Sequence, residues 1–98
     1  MPAGPSRGMR STEADLVLRR FGRRIAELRV EKGLTQEQLA ERAKCSARYI
    51  QMVESGTNLS IRTASGFAKV LRVELAELFT RPSGKPTRMP RRARRRRR

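Results

Sequence analysis

Arg48, Gln51 and Met52 lie within five residues of one another in the segment ARYIQMVES, and their side chains suit one kind of chemistry. Arg48 falls in the first turn of a helix, where its planar fork can donate two parallel hydrogen bonds to guanine O6 and N7. Gln51 can pair in the same two-pronged way with adenine, and the methyl groups of Ala47 and Met52 can meet a thymine methyl. Gln36 and Asn58 are uncharged donors able to position a protein on a phosphate without reading sequence. These residue types point to the edges of base pairs. The chain has no His and one Cys. It offers no metal cluster, no Gly-rich phosphate cradle and no nucleophile–base pair, so no metal, no cofactor and no enzymatic activity are expected.

Two short helices must hold these side chains, and residues 34–56 (LTQEQLAERAKCSARYIQMVESG) carry the signals for both. Thr35 caps the first, with Gln38 at the capping-box position. Ser46 caps the second, which runs through Ala47 to Glu54 and stops at Gly56. Ala43–Lys44–Cys45 between them is long enough only for a tight turn. Leu39, Ala40, Ala43, Cys45, Ile50 and Val53 face inward. Gln36, Ala47, Arg48, Gln51 and Met52 are left facing outward. Such a helical hairpin lays its second helix in the DNA major groove.

Around the hairpin the spacing predicts three more helices. The first starts at Thr12, with Glu13 and Asp15 in its opening turn. Val17, Phe21, Ile25 and Leu28 form its apolar stripe, and it ends at Lys32 before Gly33. Arg19, Arg20, Arg23 and Arg24 lie off that stripe. After the loop Thr57–Leu59, Ser60 caps a fourth helix burying Ile61, Ala64, Phe67, Ala68 and Leu71. Gly66 inside it costs about 1 kcal/mol against Ala, which suggests a close helix contact. Val73–Phe79 predicts a short fifth helix. The fold class expected is all-α: five helices over residues 12–80, between a disordered arm (1–11) and a disordered Arg-rich tail (81–98).

The net charge of +15 is uneven. Residues 81–98 hold nine Arg and one Lys with no acid, while residues 1–80 hold 14 basic and 9 acidic side chains. A polyanionic partner follows from that balance. No apolar run approaches the roughly 18 residues that span a bilayer, so no membrane association is expected. The lone Cys45 is read as core filling in a reducing, cytoplasmic compartment, at the nucleoid.

FGRRIAELRVEKGLTQEQLAERA, then S-x-x-YI-x-x-VE-x-G, a loop, a further helix and VELAELF together resemble the Xre/Cro-type helix-turn-helix domain of bacterial and phage regulators. The match covers roughly residues 21–79, and NLSI after the loop is more similar to small controller-type regulators. The resemblance implies that Ser46, Ala47, Arg48 and Met52 face base edges, with Gln51 alongside. It implies that Arg29, Thr35, Gln36, Tyr49, Thr57 and Asn58 contact the sugar-phosphate backbone, with Arg29 and Glu54 bridging the first helix to the recognition helix. Tyr49 could equally cover the domain edge, and Met52 could be partial core. Lys44 stands where relatives commonly have Gly, so a left-handed backbone there would be mildly strained.

The leading expectation is a sequence-specific transcriptional regulator that binds double-stranded DNA as a homodimer on a two-fold operator. Residues 46–55 would enter the major groove, and the tail would add non-specific phosphate contacts. The alternative is an interaction or architectural module, antitoxin-like or bridging-factor-like, with a protein partner and with nucleic-acid binding confined to the tail.

Overall fold

Carboxylates at Glu13 and Asp15 favour a helix start through the positive end of its dipole, and the apolar spacing carries that helix onward. In the computed structural model, which describes residues 12–89, this element is α1, Thr12–Glu31. It is followed by α2 (Gln36–Ala43), α3 (Ala47–Ser55), α4 (Ile61–Leu71) and a 3-10 helix over Leu75–Phe79. There is no strand among the described residues, and the fold is all-α.

The fifth helix differs from expectation. Arg72 takes a left-handed backbone (φ 60°) as the cap of α4, and the Val73 N–H closes that cap on the Ala68 carbonyl at 3.0 Å. Val73 is thereby spent in ending α4. The five residues from Leu75 wind as a 3-10 turn, a form common in short pieces.

Phe21, Ile25 and Leu28 of α1, Leu39 of α2, Ile50 and Val53 of α3, Phe67 and Leu71 of α4, and Leu78 form one buried cluster. Each such side chain contributes about 1.5–3 kcal/mol on burial. Phe79 stays half-exposed, its ring tilted against Phe21 with centroids 5.2 Å apart. The α1 stripe is buried only from Phe21 onward. Val17 is 47% exposed, because among the described residues no other element covers the first turns of α1.

Two glycines exchange roles relative to the sequence reading. A Cβ on Gly66 would meet nothing within 4 Å, so no close contact explains that residue. A Cβ on Gly22 would run into the Val53 carbonyl and come within 2.7 Å of the Glu54 carbonyl. The close approach of helices therefore lies between α1 and the end of α3. It was hidden because Gly22 sits in a strongly helical, Arg-rich stretch.

Composition predicts disorder from residue 81. Residues 83–87 make polar contacts to α1. The backbone N–H groups of Ser83 and Gly84 donate to the Glu27 carboxylate at 3.0 and 2.8 Å, and the Thr87 carbonyl accepts from Arg29 at 3.0 Å. A carboxylate and a guanidinium on α1 supply the attraction, which counting apolar residues cannot register. The expectations for residues 1–11 and 90–98 lie outside the described residues.

Candidate nucleic-acid interface

Capping fixes where the two hairpin helices begin. Thr35 Oγ1 accepts from the Gln38 N–H at 3.0 Å, while Gln38 Oε1 accepts from the Thr35 N–H at 2.8 Å. Ser46 Oγ accepts from the Tyr49 N–H at 3.0 Å. Lys44 turns the chain between them with φ 60° and ψ 47°, and Gly56 ends α3 with φ 103°. Ile50 and Val53 point into the core, which sets the rotation of α3. Arg48, Gln51 and Met52 are consequently exposed. With Ser55 and Thr57 they line a shallow cleft of about 510 Å³.

The outward face is uncharged or basic. Glu54 is the acid on the same helix, and its carboxylate is fully engaged. Arg29 Nε donates to Glu54 Oε2 at 2.6 Å and Arg29 Nη2 to Oε1 at 3.2 Å. Gln36 Nε2 adds a third bond to Oε1 at 2.9 Å. Arg29 Nη1 also donates to the Leu34 carbonyl at 2.8 Å. The expected Arg29–Glu54 bridge is present, but Arg29 is 3% exposed with its fork occupied. In this structure it holds Glu54 and, through Glu54, Gln36.

The other anticipated residues divide by exposure. Arg48, Gln51, Met52, Ser46 and Asn58 are exposed. The Ser46 oxygen is used as a cap, leaving its hydroxyl hydrogen to donate outward. Ala47 is half-buried and packs on the core. Tyr49 is half-buried and packs its ring on Phe67 at 6.5 Å, nearly parallel. Thr35, Gln36 and Thr57 are half-buried at the rim. Cys45 is partly buried against the core, and burial pushes its thiol pKa up, as expected for packing rather than reactivity.

Glu27 was not anticipated. It is buried and bonded to Arg24 at 3.0 Å as well as to Ser83 and Gly84. Burial opposes its charge, yet the Ser83 N–H, the Arg24 guanidinium and the Gly84 N–H together hold it below the usual carboxylate range. Its i,i+3 spacing from Arg24 was the available signal. Among the described residues no group of His, Cys, Asp and Glu could hold a metal, and no helix is long and apolar enough to cross a membrane.

Residues 25–78 match the family described as Helix-turn-helix, which is more than half of the chain. The chain belongs to the helix-turn-helix family. This agrees with the Xre/Cro-type resemblance, and it places the chain among DNA-binding transcription regulators. Three solved structures are similar. The restriction-modification controller protein C.AhdI from Aeromonas hydrophila is 43% identical with a TM-score of 0.60, over 67% of this chain and 98% of its own. The clp gene regulator ClgR from C. glutamicum is 27% identical with a TM-score of 0.58, over 62% and 82%. A hypothetical transcription factor, NHTF, from Neisseria is 26% identical with a TM-score of 0.63, over 84% and 88%. No curated relative matches the sequence.

Proposed function

We propose that this DNA-binding transcription regulator reads a two-fold operator as a homodimer, with α3 in the major groove. The observation that carries the reading is the joint exposure of Arg48, Gln51 and Met52 on a helix whose rotation is fixed by Ile50 and Val53, with the adjacent carboxylate already neutralised. Arg48 takes a guanine edge, Gln51 an adenine edge, and Met52 with the rim of Ala47 a thymine methyl. Ser46 donates at the helix start. Thr35, Gln36, Thr57 and Asn58 set the register on the backbone, while Tyr49 and Arg29 hold the frame. The similarity to a restriction-modification controller fits a small regulator of this kind.

One α3 reads only a few base pairs, too few for specificity in a genome. A second copy about 34 Å away, one helical turn along, supplies the rest. The Arg-rich run beyond Met89 adds phosphate contacts that raise affinity without choosing sequence. Selection of bound duplexes from a random pool, at moderate salt to suppress non-specific contacts, tests the reading. Enrichment of an inverted repeat with half-sites one turn apart is expected. Salt-sensitive binding with no enriched sequence would favour the interaction-module reading.

A further inference from the structure

Beside the α3 cleft lies a second concavity of about 960 Å³, walled by α1, the start of α2 and the end of α3. Arg19, Arg20 and Arg23 of α1 line it together with Arg88 of the C-terminal segment. All four are exposed, and none forms an ion pair among the described residues. Arg19 and Arg23 are four residues apart and Arg20 and Arg23 three, so they share one helical face and repel one another. No ion pair among the described residues offsets that repulsion. Glu54, the one carboxylate on the wall, is spent on Arg29 and Gln36.

This concavity and the recognition face are one surface. Gln51 and Ser55 line both. The stem of Arg19 lies close to the end of α3, since a Cβ on Gly56 would stand 2.8 Å from Arg19 Cγ. From Arg19 to Arg23 the helix rises about 6 Å, a step comparable to that between neighbouring phosphates on one strand. Guanidinium forks suit phosphate oxygens, and a concavity this long with four spaced cations exceeds what a single small anion would fill.

We propose that Arg19, Arg20, Arg23 and Arg88 bind the sugar-phosphate backbone of duplex DNA flanking the base pairs read by α3. This rests on α3 being the recognition helix. It extends the footprint from the major groove onto α1, where Arg19, Arg20 and Arg23 otherwise have no assigned part.

The test uses the full chain and a selected operator in two lengths, one with long flanks and one trimmed flush with the outermost recognised base pair. On the long duplex, R19Q/R20Q/R23Q should flatten the slope of log K against log salt by about 2–3 units, at about 0.9 per lost phosphate. Its base preference should be unchanged, and on the trimmed duplex it should bind like wild type. R19K/R20K/R23K should keep the wild-type slope, and equal helicity and melting would show that the Gln variant is folded. An unchanged slope on the long duplex, or an equal loss on the trimmed one, would overturn the proposal while leaving α3 as the reader. A wild-type chain with no operator preference would instead sink the recognition reading itself, and this proposal with it.

Discussion

Arg29 and Glu54 stand 25 residues apart in sequence and meet through two hydrogen bonds of 2.6 and 3.2 Å, with both side chains nearly out of solvent. The same guanidinium reaches the Leu34 and Thr87 carbonyls. One side chain thus ties α1 to α3, to the loop before α2 and to the C-terminal segment. Removing one partner of a buried pair leaves an uncompensated charge, so Arg29→Ala should cost about 3–5 kcal/mol in urea denaturation. Arg29→Lys should recover little of it, because an ammonium cannot replace the planar fork. A loss below about 1 kcal/mol would mean that the pair behaves as a surface salt bridge.

Glu27 gives the fold an acid-sensitive joint. Its pKa in the folded state is depressed, so its contribution is present above the ordinary glutamate range and is lost as pH falls through the folded value. Urea midpoints should therefore decline as pH drops below the ordinary glutamate range, and Glu27→Gln should make that decline shallower. An identical acid limb in the variant would remove Glu27 from the account.

Lys44 holds a left-handed backbone that costs a non-glycine residue about 1–2 kcal/mol. Lys44→Gly should relieve this, less the added freedom of the unfolded chain. The net gain should be up to about 1 kcal/mol, visible as a melting point higher by several degrees. A lower melting point would mean that the Lys44 side chain contributes more than its backbone costs.

The hairpin was legible because its determinants are local. Thr35 with Gln38 and Ser46 with the Tyr49 N–H are contacts over three residues, and the rotation of α3 follows from Ile50 and Val53 three apart. Gly22 against α3, Glu27 against Ser83 and Gly84, and Thr87 against Arg29 all join residues more than 30 or 50 positions apart. Their polar or steric logic exists only once the chain has folded. Tyr49 was ambiguous for a similar reason, since its partner Phe67 lies on another helix.

The chain beyond Met89 carries seven Arg and no acid. Ending the protein at Met89, which keeps the contacts of Ser83, Gly84 and Thr87, should weaken specific and non-specific DNA binding by similar factors. It should also flatten the salt slope by several units, at about 0.9 per phosphate. Salt titrations of both modes measure this. An unchanged slope would mean that those arginines do not touch DNA.

The most direct test of the central claim, that the exposed face of α3 reads sequence, is the base-preference profile of Arg48→Ala on the selected operator. The variant should lose about 1–3 kcal/mol of affinity and relax its preference at one symmetric pair of positions, leaving the others intact. Full affinity with an unchanged profile would contradict the account.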